Sequence, residues 1–283
     1  MSDVSIWYAP AKINLFLRIR ARRNDGMHEL QTAFQFIDIC DEIRFSLRND
    51  GQINYLTPIA GVSDEQNLCV KAAQALQQCG AQHRGVDISV NKRIPMGGGM
   101  GGASSDAATV LRVLNRAWDL KLEESELCVL GLRLGADVPV FIQGQAAWAE
   151  GVGEQLTRLQ NVKEYWYLIV DPGINVNTAQ MFADSQLTRH SDALTICPPE
   201  PGALGNAFEP VVRAKYAKID EIFACLQPHC QPFLTGSGGC VLAAFGDRAS
   251  AQAMRAVCPP GVNTHVAKSM NSSPLNAQLA SLS

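Results

Sequence analysis

The glycine-rich segment at residues 95–108 constrains this chain more than any other part of its sequence. Five of its residues are glycine, and such a run cannot form a stable helix or strand because glycine loses too much backbone entropy there. Glycine can instead adopt positive φ angles, which let consecutive backbone N–H groups converge on an anion. Apolar residues then follow at helical spacing, at Ala107, Leu111, Leu114 and Trp118. The segment therefore predicts a phosphate site at a helix N-terminus, where unpaired N–H groups and the helix dipole both favour negative charge.

A flexible linker is the alternative interpretation of these glycines. Linkers are usually polar on both sides, whereas a strand-like segment at residues 86–90 precedes this loop and an apolar helical pattern follows it. The loop lacks the Gly-Lys-Ser/Thr ending of a Walker A sequence, and no acidic residue follows on a second strand as in a dinucleotide-binding fold. We therefore expect a phosphate loop of another design, with Ser104 or Ser105 as the N-cap of the helix.

The composition is typical of a soluble globular protein with room for two modest domains, with 283 residues of which 47% are apolar and 18% charged. A net charge of −3 gives no electrostatic reason to expect nucleic acid or an anionic membrane as a partner. No apolar run approaches the roughly 20 residues of a membrane span, and the N-terminus lacks the features of a signal peptide. The nine cysteines are scattered without a Cys-x-x-Cys pair, so we expect reduced thiols in a cytoplasmic protein and no metal cluster.

Residues 10–20 alternate in polarity, which predicts a strand with one buried face. Lys12 and Asn14 would lie side by side on the face opposite Ile13 and Leu15. By pattern alone, a lysine in this position is more commonly a solvated surface residue than a functional one.

Asp137 is an acid within the apolar stretch 135–141. Its ordinary role would be the N-cap of a following short helix, with Pro139 early in that helix. A partly buried carboxylate also needs a cationic partner, and a lysine would serve. From the residues alone, both a capping role and a catalytic role stay open.

The remaining elements are predicted from turn signals and apolar periodicity. An Asp-Gly turn is expected at residues 24–28, with strands at 32–39, 43–47, 166–170 and 262–267. Helices are expected after a capping box at 63–66 and at 120–134, 209–226 and 250–257. The tail from residue 269 is polar, so we expect it to pack on the surface. A second glycine-rich loop at 234–242 is either a second wall of the phosphate pocket or a hairpin turn.

Three separated stretches, residues 10–15, 95–108 and 234–238, resemble the three motifs of the GHMP kinases and occur in the same order. The resemblance implies an α+β fold of two lobes, an N-terminal ATP-binding domain (1–160) and a C-terminal ferredoxin-like αβ domain (161–283). It implies a kinase that phosphorylates an alcohol with ATP and Mg²⁺ in the cleft between the lobes, as a monomer or weak homodimer.

The resemblance also assigns residues to the chemistry. Asp137 would be the general base on the acceptor's 2-hydroxyl group, and Lys12 would be its partner. The residues that would wrap the ATP phosphates are Pro95, Met96, Gly97, Gly98, Gly99, Met100, Gly101, Gly102, Ala103, Ser104 and Ser105. One of the two serines would also reach the phosphates or Mg²⁺, and Asn67, Leu68 and Lys92 would border the adenine.

The turn at 25–28 resembles that of GHMP kinases whose acceptor carries a cytidine diphosphate. Asn14 and His28 would contact this substrate, His28 through hydrogen bonds to cytosine, and Phe182 would stack on the base. Met27 stands where this group commonly has tyrosine, so we expect cytosine binding to be retained but altered, since a thioether can also lie against a ring. The alternatives are a GHMP kinase for another small alcohol and a non-catalytic nucleotide sensor.

Overall fold

Two long antiparallel strands, β1 (Trp7–Arg22) and β2 (His28–Arg48), form the framework of the structure, a computed structural model that describes residues 6–281. The predicted turn joins them, and the two strands expected at 32–39 and 43–47 are one continuous strand. Residues 1–5, on which the signal-peptide prediction depends, lie outside the described range.

The simple alternation predicted for β1 is wrong at a β-bulge. The pairing register with β2 shifts between Asn14 and Leu17, and Leu15 and Phe16 enter the same apolar cluster. A bulge adds one residue to the strand and reverses which face the following side chains occupy. Leu17 consequently lies on the face of Lys12 and Asn14, and both faces of the strand are buried.

The bulge is stabilised by a segment from the far half of the chain. The Leu17 N–H donates to the Gly205 carbonyl at 3.0 Å, and the Ala207 N–H donates to the Leu17 carbonyl at 2.8 Å. These bonds satisfy backbone groups that β2 does not pair at the bulge.

Within residues 6–281, one ten-stranded sheet runs through both halves of the chain, in the order β3-β4-β2-β10-β7-β9-β8, with β1, β5 and β6 paired beside this path. The further strands are β3 (Ile53–Tyr55), β4 (Gly85–Asn91), β5 (Ala147–Glu150), β6 (Gln155–Arg158), β7 (Trp166–Asp171), β8 (Pro232–Leu234), β9 (Val241–Phe245) and β10 (Asn263–Met270). β10 pairs with both β2 and β7, so the sheet crosses the predicted domain boundary at 160/161.

The helices cover the sheet and carry much of the site. They are α1 (Leu68–Leu76), α2 (Gly102–Ala117), α3 (Glu124–Leu134), α4 (Val138–Gln143), α5 (Thr178–Ala183), α6 (Glu209–Lys215), α7 (Ala217–Leu226), α8 (Arg248–Ala253) and α9 (Pro274–Ala280). Of the helices in the described part of the chain, none combines the length and the apolar character needed to cross a bilayer.

Several predicted helix boundaries are wrong because local capping decided them. Asn67, not the expected box at 63–66, caps α1 by accepting the Cys69 N–H. α3 begins four residues later than expected, at a capping box between Glu123 and Glu126. The helix expected over 209–226 is divided at Tyr216, whose φ and ψ are not helical.

The C-terminal tail also differs from its prediction. Ser269 is fully buried within β10, and α9 follows it, capped by Ser273. Leu275 packs into the apolar cluster beneath α2. The tail therefore contributes to the core, although its sequence is largely polar.

Candidate active site

The phosphate loop, residues 95–103, takes the backbone conformation that its glycines predict. Gly97, Gly99 and Gly101 have φ angles of +73°, +79° and +73°, a region that L side chains rarely adopt. Gly101 is the left-handed N-cap of α2, so the expectation of a serine cap is wrong. Ser104 and Ser105 lie within the first turn, and the Ser105 hydroxyl donates to the Pro10 carbonyl at 2.6 Å. Ser104, in contrast, lines a cavity.

The second glycine-rich loop lies directly against the phosphate loop. It connects β8 to β9, which pair as an antiparallel hairpin. The Gly239 N–H donates to the Gly97 carbonyl at 3.3 Å, and a Cβ atom built on Gly238 would lie 2.2 Å from the Gly99 nitrogen. The loop is thus a hairpin connection that also packs against the phosphate loop, so the two interpretations left open are compatible.

Lys12 and Asp137 meet although they lie far apart in the sequence. The Lys12 Nζ is 3.2 Å from the Asp137 Oδ2 and 4.9 Å from the centre of the Phe34 ring. Lys12 is 3% exposed, so the surface role favoured by its pattern is wrong. Asp137 occupies the N-cap position of α4, but its carboxylate pairs with Lys12 instead of bonding the helix.

Asn14 holds Lys12 in place. The Lys12 ammonium donates to the Asn14 Oδ1 at 2.7 Å, and the Asn14 Nδ2 donates to the Thr32 hydroxyl at 2.8 Å. Thr32 in turn donates to the Phe16 carbonyl, which the bulge leaves available. Sequence reasoning missed Thr32, which the pairing of β1 with β2 brings here. It also missed the Thr235 hydroxyl, which accepts the Asn14 N–H at 2.8 Å from the second glycine-rich loop.

A cavity of about 310 Å³ lies on one side of the phosphate loop. Residues 95–103 form one wall, and three residues predicted at the adenine also line it, namely Asn67, Leu68 and Lys92. Tyr55 and Asp106 line it as well, and the sequence analysis did not single them out. The dimensions and the glycine wall suit a nucleotide.

Lys92 joins two carboxylates beside this cavity. Its ammonium pairs with Asp41 and donates to the Asp106 Oδ2 at 2.7 Å. Asp41 also accepts the Ile94 N–H at 2.9 Å, which anchors the chain entering the phosphate loop. Burial raises the pKa of Asp106 to about 7, because desolvation outweighs the attraction of Lys92.

A second cavity, of about 300 Å³, lies on the other side of the phosphate loop. Gly99 and Gly101 line both cavities, so the loop is the partition between them. The polar side chains of this second cavity include Lys12, Asn14, Ser104, Asp137, Thr178 and Ser237. A phosphate group held by the loop would therefore lie next to the Lys12–Asp137 pair.

A third cavity, of about 340 Å³, adjoins the second and holds the turn residues Met27 and His28. Phe182 and Leu30 line both cavities. The His28 ring stacks on Phe182, with centroids 4.7 Å apart and planes inclined by 25°. The pKa of His28 is lowered, first by burial and then by the charges of Arg189 and Arg22.

The chain is similar to known proteins over nearly its whole length. A curated relative from Pseudomonas aeruginosa (strain LESB58), named 4-diphosphocytidyl-2-C-methyl-D-erythritol kinase, is 48% identical over 274 residues, 97% of each protein. A relative of the same name from Halorhodospira halophila (strain DSM 244 / SL1) is 46% identical over 282 residues, 99% of this chain and 98% of the relative.

Comparison with solved structures gives the same family as comparison with sequence relatives. A crystal structure of 4-(cytidine 5'-diphospho)-2C-methyl-D-erythritol kinase superposes with a TM-score of 0.78 at 27% identity, covering 94% of this chain and 99% of the other, which confirms the predicted α+β GHMP kinase fold. Residues 67–145 match the family described as GHMP kinases N terminal domain. This chain is therefore a small-molecule kinase that belongs to the 4-diphosphocytidyl-2-C-methyl-D-erythritol kinases, within the GHMP kinases.

Proposed function

We propose that this kinase transfers the γ-phosphoryl group of ATP to the 2-hydroxyl group of 4-diphosphocytidyl-2-C-methyl-D-erythritol, a step of the non-mevalonate isoprenoid pathway. The products would be the 2-phosphate and ADP. The observation that carries the proposal is the row of three adjoining cavities, with Lys12 and Asp137 in the middle one. The names of the relatives favour this acceptor over another small alcohol.

The phosphate loop would hold the nucleotide. Its glycines have left-handed φ angles, which would allow backbone N–H groups to converge on a phosphate, and α2 would add the positive end of its dipole. Phosphoryl transfer demands little covalent work from a protein, so this placement would supply much of the catalysis.

Asp137 would accept the proton of the attacking hydroxyl group. A tertiary alcohol is a poor nucleophile, and an aligned carboxylate assists it during attack. The Asp137 side chain is 36% exposed, so a substrate in the second cavity can reach it. Lys12, held by Asn14, would stabilise negative charge that develops on the phosphoryl group in transfer.

The oxygen groups near the phosphate loop also fit Mg²⁺. This ion prefers oxygen ligands and is usually held by one or two carboxylates together with substrate phosphates. The Ser104 hydroxyl and the Asp137 carboxylate line the second cavity and would be available. When bound with ATP, Mg²⁺ would neutralise charge on the β- and γ-phosphates.

The third cavity would take the cytosine. Met27, His28 and Phe182 line it, but one face of Phe182 already contacts His28, so the base would stack elsewhere on this pair or displace one ring. Met27 is 49% exposed and can lie against the base in place of tyrosine.

We also propose a monomer or weak homodimer in the cytoplasm, with lobes at 1–160 and 161–283. The nine cysteines are free thiols, which suits a reducing compartment.

A coupled ADP-release assay tests the function, with the cytidylyl substrate, with other small alcohols and with no acceptor. Asp137→Asn and Lys12→Met should each lower kcat by about 100- to 10,000-fold while ATP binding, measured by calorimetry, persists. The matched control is Lys268→Met, which breaks the exposed pair with Glu164 at 3.4 Å. Wild-type kcat in either test variant would remove that residue from the mechanism.

A further inference from the structure

Arg189 connects the loop after α5 to both candidate base-contacting residues. Its Nε donates to the His28 Nε2 at 3.3 Å. Its Nη2 donates to the Phe182 carbonyl at 2.8 Å and to the Asp184 carbonyl at 2.5 Å, and its Nη1 donates to the Leu187 carbonyl at 3.2 Å. A side chain with four acceptors has little freedom to turn away from the imidazole.

The hydrogen bond from Arg189 determines which ring nitrogen of His28 carries the proton. A guanidinium group has five N–H donors, no acceptor, and does not lose a proton in proteins. The His28 Nε2 that faces it must therefore be the unprotonated nitrogen. In a neutral imidazole the proton is then on Nδ1, which makes Nδ1–H the polar group that the ring can offer to a ligand.

Burial, and then the charges around His28, favour its neutral form. Arg22 on β1 lies opposite His28 in the antiparallel strand register, and Arg189 faces the His28 ring from the loop after α5. α5, which packs on the ring through Phe182, has no titratable side chain between residues 178 and 183, and the Asp184 carboxylate pairs with Lys215. Burial and these two arginines lower the pKa of His28.

We propose that Arg189 is a positioning residue that holds His28 as the Nδ1–H tautomer and thereby makes the base site select cytosine over uracil. The selectivity rests on the function proposed above. Cytosine presents an unprotonated N3, which accepts a hydrogen bond, whereas uracil presents N3–H at the same place. A fixed donor on His28 would pair with cytosine and would face a second donor on uracil, a mispairing that discriminates strongly.

The tautomer is tested without any substrate, by NMR of the protein labelled with ¹⁵N-histidine, with His28→Gln to assign the signal. At neutral pH the wild type should show Nδ1–H, and His28 should become protonated only below its ordinary pKa of about 6.5. Arg189→Met, which keeps an apolar stem, should shift the ring toward Nε2–H and raise its pKa. A wild-type Nε2–H ring, or an unchanged spectrum in Arg189→Met, would overturn the proposal.

Selectivity is tested by comparing kcat/KM for the cytidylyl substrate and its uridylyl analogue. Arg189→Met should reduce the preference for cytosine about tenfold, chiefly through KM for the cytidylyl substrate, with KM for ATP unchanged. Arg189→Lys keeps a cationic donor and should retain part of the preference. The control is Arg255→Gln, which removes a guanidinium bonded to Thr264 at 2.8 Å, away from the cavities.

Failure of the proposed function and failure of the role proposed for Arg189 give different results. A wild type that does not phosphorylate the cytidylyl substrate would refute the proposed function, and the NMR result would still decide the role of Arg189. An active wild type whose preference for cytosine survives in Arg189→Met would refute the selectivity role alone.

Discussion

Gly238→Ala tests whether contact between the two glycine-rich loops sets the position of the phosphate loop. A Cβ atom on Gly238 would lie 2.2 Å from the Gly99 nitrogen and 2.4 Å from the Gly98 carbonyl carbon. Ordinary van der Waals contact begins at 3.4 Å, so the loops would have to separate by about 1.2 Å. Both neighbouring atoms belong to the backbone, so no side-chain rotation can relieve the overlap.

A separation of the two loops by this distance is large for a reaction that depends on the position of the phosphoryl group. A shift of about 1 Å in a positioning element can cost about 100-fold in rate. We therefore expect kcat/KM for ATP to fall about 100-fold in Gly238→Ala, measured by the coupled assay. Thermal unfolding should show a more modest effect, because overpacking costs about 1–3 kcal/mol.

Gly246→Ala is the matched control, because among residues 6–281 no atom beyond its immediate neighbours lies within 4 Å of the added Cβ. Its kcat/KM should stay within about twofold of the wild type, since surface changes away from structural features have little effect. If Gly238→Ala is folded at the assay temperature and equally active, the inferred link between the two loops is refuted.

Two further predictions concern the cavities on either side of the reacting groups. The pKa of Asp106 in the folded protein is raised to about 7 from 3.8, so the folded state binds the Asp106 proton more tightly than the unfolded chain does. As the pH rises from about 4 to 7, the contribution of Asp106 to the free energy of unfolding therefore falls, and above pH 7 it is constant. The free energy of unfolding measured in urea should therefore rise for Asp106→Asn relative to the wild type as the pH increases from about 4 to 7. If the free energies of the two proteins depend on pH in the same way, the raised pKa of Asp106 is contradicted. Met27→Tyr should lower KM for the cytidylyl substrate several-fold without changing KM for ATP, because an aromatic ring stacks on the base better than a thioether does. An unchanged KM would mean that Met27 does not contact the base.

The local chemistry of the sequence was enough to predict several parts of the molecule. The glycine run predicted the left-handed backbone of residues 95–103 and a helix after it, because positive φ angles are a property of glycine itself. Polarity alternation predicted the strand that carries Lys12, and Pro139 predicted the short helix after Asp137. These signals depend on residues close together in the chain.

Local signals failed where two candidates competed or where a partner was distant. Ser104 and Ser105 are good caps, but the left-handed Gly101 ends the loop first. The β-bulge after Asn14 depends on pairing with β2 and on a segment near Gly205, so alternation alone could not reveal it.

The sequence by itself therefore determined which segments could form left-handed turns, strands and helices, because backbone preference acts over a few residues. Only the tertiary structure decided that Lys12 is buried against Asp137 and that Arg189 reaches His28. Burial and charge pairing depend on distance in space, and these partners are separated by more than 100 residues in the chain.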